Sequence, residues 1–408
     1  MRPTLYVTFD GILQPLGYSQ VARIVCGLSE RGLPYRLISL ERPSDLEQTA
    51  LVASVRARLD QAGVAWTIIP YDVSGTTKAA ASNVGRTTAE VLRLSARRDV
   101  GIVHARAYHA GLVALAARRT TGMPYLFDAR SYWIDERLVD GRWFGRSSVR
   151  MAARAIERRL FRDAAGVVTL TAIQANDLRD EKFGRWTGAP VATIPTCADY
   201  DVFRLRDAAA AARAPENVRD ALRGKRVIGL VGSLNRSYYA DESLAVVRRA
   251  LASADDLHLL VLSAQKNEWK GLLERAKIDP SRALVTEAPH EEMPAYMALV
   301  DFAVLLLVVN DAKRASVPTK LAELFASGVS PVYFGCNAEV TDWVEKAGSG
   351  HVLGRLDADE IEKAARFVAE TRPSPSVLAR AREATRAHFS LATGLDRYET
   401  LLRKLAAR

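Results

Sequence analysis

Lys320 and Glu323 lie three residues apart in RASVPTKLAELFASGVSPVYF, residues 314–334. Three residues is close to one helical turn, so the two side chains share a helix face. Pro318 suits the first turn of that helix and Gly328 its end. The segment follows the apolar run Phe302 to Val309, which reads as a buried strand. A helix that starts just beyond a strand's carboxyl end offers free N–H groups and a dipole to an anion. Lys320 in its first turn is disfavoured until a phosphate sits beside it. A cation for phosphates next to a carboxylate for sugar hydroxyls describes a nucleoside-diphosphate site. An exposed Lys–Glu pair on an ordinary helix fits the same spacing. Two further sets of residues are candidates. His104 ends the expected strand Gly101 to His104, and Arg106 follows it. Either both face a ligand or the histidine is satisfied by backbone. Asp128, Arg130, Asp135 and Glu136 fall in FDARSYWIDE, where they form either a polar acceptor pocket or a structural salt-bridge knot.

Other patterns fail on context. There is no G-x-x-x-x-G-K-[ST] loop and no G-x-G-x-x-G after the first strand. Asp199-Tyr200-Asp201 sits in a loop after Pro195, and Asp357-Ala358-Asp359 reads as a helix cap. No metal is assigned. The three cysteines, Cys26, Cys197 and Cys336, are odd in number and far apart, which argues against a zinc site or a disulfide framework and for a reducing cytoplasm.

These residues need elements to hold them. Strand-like runs alternate with helical patterns along the chain. Strands are expected at Leu5 to Phe9, Tyr35 to Leu40, Ala65 to Pro70, Gly101 to His104, Tyr125 to Asp128 and Gly166 to Thr171. A helix is expected from Tyr18 to Glu30, stopped by Gly32. A second series runs Val227 to Gly232, His258 to Ser263, Ala283 to Thr286, Phe302 to Val309 and Pro331 to Phe334. This βαβ alternation predicts parallel, doubly wound sheets. The 408 residues exceed one ordinary core and suit two domains. The expected division is 1–205, a linker at 206–224 that carries an alanine run, 225–385, and a C-terminal helix at 386–408 that packs back on the first domain. The fold class is α/β, two tandem Rossmann-like domains facing each other across a cleft. The ligand site is expected between the carboxyl ends of the two sheets.

With 49% hydrophobic and 25% charged residues, the composition excludes wholesale disorder and fibres. No apolar run approaches the roughly 20 residues of a membrane span. The net charge of +10 fits nucleic acid, an anionic membrane surface or phosphorylated small molecules, or is mere arginine-rich composition. Nucleic acid is set aside, because no aromatic platform or recognised motif accompanies the charge. Arg146, Arg150, Arg154, Arg158 and Arg162 recur every fourth residue. They form either a peripheral membrane contact or a solvated helix face.

Taken together, the motifs resemble those of family-4 glycosyltransferases with the two-Rossmann-domain GT-B fold, over nearly the whole chain. DGILQPLGYSQV is similar to the family's N-terminal glycine loop, IVHARAYHAG to its strand-end histidine region, and FDARSYWIDERLVDGRW to an acceptor-side segment. TIPTCADYDVF resembles the loop at the domain boundary, VGSLNRSYYADESL the first C-domain loop, and SVPTKLAELFASGVSPV the donor-binding helix. The resemblance implies metal-independent, retaining transfer of a sugar from a nucleoside-diphosphate donor to an acceptor hydroxyl, with no cofactor. The acceptor would be a glycan, a lipid-linked or a small molecule, in polysaccharide or glycoconjugate assembly. It implies that Glu323 binds the ribose, that Lys320 binds the pyrophosphate, and that Gly232, Ser233 and Arg236 lie along the diphosphate. Gly11 and Gly17 would flank the donor from the other domain. His104, Arg106 and Lys320 are the catalytic candidates, and Arg130, Asp135 and Glu136 the acceptor-side ones. The expected location is cytoplasmic, with peripheral contact to the inner face of the membrane as an option. Two departures stand out. Ala315 occupies the position where the commonest pattern has a second Glu, and the usual Arg and Lys after the C-domain glycine are replaced by Ser233, Arg236, Tyr238 and Tyr239. A nucleotide-sugar epimerase on the same architecture and a non-catalytic GT-B subunit are the alternatives.

Overall fold

The computed structural model describes residues 2–97, 99–139, 147–206 and 208–407. Arg146 of the basic stripe lies outside them. The chain forms two compact units: residues 1–195 with 392–408, and residues 196–391.

The first unit holds seven strands: β1 (Thr4–Thr8), β2 (Tyr35–Glu41), β3 (Ala65–Pro70), β4 (Ile102–Arg106), β5 (Tyr125–Ala129), β6 (Gly166–Thr169) and β7 (Val191–Thr193). Their order is β3-β2-β1-β4-β5-β6-β7, and every pairing is parallel. Such a sheet is covered on both faces, so its strands read as continuous apolar runs rather than alternating ones. All five residues of β1 and all five of β5 are buried. The chain winds outward from β1 to β3 and then from β4 to β7 on the other side. Between β1 and β4 it leaves a crevice at the carboxyl ends of the strands, the usual ligand position in doubly wound sheets.

The second unit repeats this plan with six strands: β8 (Arg226–Val231), β9 (Leu257–Leu262), β10 (Ala283–Thr286), β11 (Phe302–Leu306), β12 (Ser330–Phe334) and β13 (His351–Val352). Their order is β10-β9-β8-β11-β12-β13, so its switch point lies between β8 and β11. One core cluster joins Val227, Leu260 and Leu305 to Leu321 and Leu324; a second joins Ile228, Leu259 and Val304 to Leu244, Val247 and Ile361. The two clusters are the two faces of one sheet.

Residues 206–224, expected as a linker, fold as part of the second unit. They carry the short helices Ala208–Ala211 and Glu216–Leu222. Val218 and Leu222 are buried in the same cluster as Val227 and Tyr296. The change of unit falls earlier, between Pro195 and Thr196. The helix Leu391–Ala406 runs in the first unit almost from its start, with Leu395, Tyr398, Leu401 and Leu402 buried. The edge strands β7 and β13, three and two residues long, were absent from the sequence reading because so few residues carry no period.

Candidate functional site

In the second unit the helix Thr319–Ser327 follows β11 and ends at Gly328, whose φ of +70° is the left-handed conformation that glycine adopts freely. Its N-cap is Pro318, and no side chain caps it, so the first N–H groups are open to a ligand. Lys320 and Glu323 both lie on this helix. Gly232 comes just after β8, across the switch point. Its φ is +107°, and a Cβ there would sit 1.8 Å from Lys320 Nζ. Gly232 is therefore required twice, by its backbone and by the lysine laid against it. The ammonium also lies over the Tyr238 ring, 5.1 Å from its centroid. Burial pushes the Lys320 pKa down to about 8, and the nearby charge of Glu323 opposes the fall. Glu323 is itself 8% exposed. Ser233 and Arg236 are exposed in the loop after Gly232. Lys320, Gly232, Ser233 and Tyr238 line one small cavity. Tyr238 also lines a second cavity of about 200 Å³, with Ser316, Pro318, Thr319 and Tyr333. Gly232, Ser233 and Lys320 thus meet at one cavity, Glu323 lies one turn further along the same helix, and Arg236 lines neither cavity.

The first unit places its candidates differently. β4 does not end at His104 but runs on to Arg106. His104 is fully buried and does not face solvent, contrary to expectation. Its Nδ1 lies 3.4 Å from the Tyr35 hydroxyl and its Nε2 3.6 Å from Asp128 Oδ2. Burial lowers its pKa, against the pull of Asp128. Its place is in the core, as a spacer between the sheet and Tyr398, whose ring centroid is 5.4 Å away. Arg106, the last residue of β4, is buried as well. It is 5% exposed, and its Nε donates to Asp10 Oδ2 at 2.9 Å. The next residue, Ala107, has a φ of +62°. That is strained for a residue with a side chain, and such turns cluster at functional sites.

Asp128 is the hub below this turn. The Tyr398 hydroxyl donates to its Oδ2 at 3.0 Å and Arg130 to its Oδ1 at 3.2 Å, and Arg106 stands 3.9 Å off. Burial would raise the carboxyl pKa, but Arg130, His104 and Arg106 outweigh it and hold the group well below the usual carboxylate range. Arg130 is therefore part of a buried knot. Asp135 and Glu136 do not join it. Asp135 pairs with Arg154, which also bonds Glu157 at 2.7 Å, and Tyr108 donates to the same Glu157 at 2.7 Å. Glu136 accepts from Ser131 Oγ at 3.3 Å. Both acids lie in the first turn of the helix Trp133–Val139, where the helix dipole favours them. Asp135 is thus held by an ion pair and Glu136 by a hydrogen bond.

Gly11 and Gly17 are explained by packing. A Cβ on Gly17 would lie 2.0 Å from Gly11 O, and one on Gly11 2.7 Å from Glu41 Oε2. Buried Glu41 accepts from Ile12 N at 2.9 Å and Leu13 N at 3.2 Å and so fixes the loop. Sequence reasoning missed Glu41, a carboxylate ending an apolar strand. It also missed Phe9, His109 and Trp133, partly exposed rings that pack on one another. Phe9 and His109 stack at 5.4 Å, and His109 meets Trp133 edge-on at 5.2 Å. Their signal was two aromatic residues and a histidine just after strands. Among the described residues no group of three or more His, Cys, Asp or Glu could hold a metal ion.

Residues 19–197 match the glycosyl transferase 4-like domain family. No curated protein matches the chain by sequence. Solved structures share its fold over its full length. A sucrose-phosphate synthase from Thermosynechococcus elongatus superposes with a TM-score of 0.71 at 14% identity, over 100% of both chains. Anabaena HepE, in complex with UDP-glucose, gives 0.67 at 13%, again over 100% of both. A UDP-N-acetylglucosamine 2-epimerase gives 0.64 at 12%, over 100% of this chain and 98% of the other. Residues 19–197 are thus a glycosyl transferase 4-like domain, in a chain with the two-Rossmann-domain GT-B fold of glycosyltransferases.

Proposed function

We propose that the protein is a retaining glycosyltransferase that takes a nucleoside-diphosphate sugar as donor, without a metal, and passes the sugar to an acceptor hydroxyl. The observation that carries this reading is the second unit's switch point. There an uncapped helix N-terminus, a half-buried Lys320 and a glycine shaped to admit it lie beside Glu323. In such a transfer the diphosphate leaves with growing negative charge, which fixed donors and a cation stabilise. Lys320 and the first-turn N–H groups supply them, and Glu323 accepts from the ribose hydroxyls. On the first unit, the partly exposed Phe9, His109 and Trp133 rings offer a sugar-stacking surface. Glycan or glycoconjugate assembly in the cytoplasm fits this chemistry.

A thermal-shift panel with uridine, guanosine and adenosine diphosphates tests the reading. One of them at about 100 times its dissociation constant should add roughly 2.7 kcal/mol, while the bare nucleoside adds less. The pH dependence follows from Lys320. Its pKa is depressed in the free protein, so charging it costs stability below about pH 8, and that cost fades as pH rises towards the ordinary 10.5. A diphosphate favours the charged form. Binding therefore takes up a proton near pH 8 and weakens as pH rises beyond it. Stabilisation by no nucleotide would instead favour a non-catalytic subunit. Sugar turnover with donor alone would point to an epimerase, a reading supported so far by fold alone.

Peripheral membrane contact is a second element of the proposal. The helix Ser147–Arg162 exposes Val149, Met151 and Ile156 together with Arg150 and Arg158. Arg154 is withdrawn into its ion pairs with Asp135 and Glu157, so the stripe is shorter than its spacing implies. Exchanging Arg150 and Arg158 for Glu should abolish co-sedimentation with anionic vesicles and leave nucleotide binding unchanged. Unaltered co-sedimentation would rule this contact out.

A further inference from the structure

Asp10 stands just beyond the carboxyl end of β1, and its side chain is 43% exposed. Its backbone is fixed by buried Thr8, whose Oγ1 accepts from Asp10 N at 3.0 Å and donates to Asp10 O at 3.3 Å. Its Oδ2 accepts from Arg106 Nε at 2.9 Å. Arg106 is a firm anchor, because it is itself buried and has fully buried Asp128 at 3.9 Å. Asp10 Oδ1 has no partner among the described residues. One oxygen of this half-exposed carboxylate is thus tied down, and the other is left to a ligand. An ordinary surface aspartate must be ordered when it binds, at a cost in entropy. Here the fold has already ordered it.

Aromatic rings stand beside it. Phe9, the preceding residue, stacks on His109 at 5.4 Å. His109 lies in the first turn of the helix Ala107–Thr121, which begins directly after Arg106 at the left-handed Ala107. Burial lowers the His109 pKa, and the charge of Asp10 opposes the fall. An ionised carboxylate only accepts hydrogen bonds, and a hydroxyl can donate one. A sugar offers hydroxyls to such an oxygen and a C–H face to neighbouring rings. Resting on the transferase reading above, we infer that the acceptor is a sugar and that Asp10 Oδ1 accepts a hydrogen bond from one of its hydroxyls. Arg106 is then a positioning residue, which acts through Asp10. Holding a hydroxyl in one orientation is what a transfer to it requires.

Saturation-transfer NMR titration with the methyl glycosides of glucose, galactose, mannose and N-acetylglucosamine tests this. At least one should bind. Asp10→Ala should weaken it about tenfold, the scale of one hydrogen bond to a charged group, and Asp10→Asn severalfold, since an acceptor oxygen remains. Among deoxy analogues of that glycoside, loss of one hydroxyl should weaken binding to the parent as Asp10→Ala does, and should cost little more in the Asp10→Ala background. A purely structural aspartate would leave the effect of every hydroxyl intact. Arg106→Lys should likewise weaken the glycoside in the parent and add little in the Asp10→Ala background. If none of these glycosides binds the parent, or if both Asp10 variants bind as the parent does, the inference is overturned. The diphosphate panel reads Lys320 and Glu323 in the other unit and so reports separately on the donor. Diphosphate binding without glycoside binding leaves the transferase reading standing and removes this inference; loss of both removes both.

Discussion

Asp128→Ala should cost the protein about 3–5 kcal/mol of stability, the loss expected when one partner of a buried ion pair is removed. The carboxylate is fully buried and meets Arg130 at 3.2 Å, the Tyr398 hydroxyl at 3.0 Å and His104 at 3.6 Å. Its removal leaves the Arg130 and Arg106 guanidiniums in a low-dielectric site without their shared counter-ion, and leaves a buried hydroxyl with no acceptor. Against a typical total of about 5–15 kcal/mol, the change is large. Asp128→Asn should cost less, because it keeps an acceptor for Tyr398. The pH dependence has a definite sign. The folded carboxyl pKa is depressed, so the contribution is present above the ordinary value of 3.8 and is lost only as pH falls below it. The difference between parent and variant should therefore be constant from pH 5 to pH 8. Urea unfolding measures it through the midpoint at unchanged slope. A loss below about 1 kcal/mol, the level of an exposed pair, would mean that Asp128 does not hold this end of the sheet together.

The same hub shows where sequence reading stops. Strand positions were legible because a parallel sheet buried on both faces demands runs such as Phe302 to Leu306, and those runs need no partner to be recognised. The helix carrying Lys320 and Glu323 was legible for a local reason as well, its proline start and glycine stop. His104 was misplaced because two residues of strand, Ala105 and Arg106, are continued by pairing with Phe127 and Asp128, which is information from 22 positions away. Tyr398 reaches Asp128 from 270 residues further along the chain, beyond any periodicity. The acids of FDARSYWIDE looked alike in sequence. In the fold Asp128 is a buried hub, while Asp135 and Glu136 serve the start of a helix. Gly232 reads as a turn residue in sequence; only the fold shows that a methyl group there would strike Lys320.

The donor helix gives the other large expected effect. Glu323→Ala should lower nucleoside-diphosphate affinity roughly ten- to hundredfold, because it removes charge-assisted bonds worth about 1.5–3 kcal/mol. The loss should be shared by the diphosphate and the nucleoside, since the ribose is common to both. Lys320→Ala should behave differently. It should weaken the diphosphate more than the nucleoside, and it should flatten the fall in affinity above pH 8, because the group that titrates there is gone. If the lysine also steadies the departing phosphate, turnover should fall further than binding does, since only interactions that strengthen in the transition state accelerate the reaction. Lys320→Ala also relieves the crowding at Gly232, so Gly232→Ala should be less harmful in that background than in the parent. What remains of the cost there is the φ of +107°, which the missing side chain does nothing to ease. Titration calorimetry of the two single variants across pH 6.5–9 separates these roles. Undiminished diphosphate binding in both variants would place the donor elsewhere and remove the main support for the transferase reading.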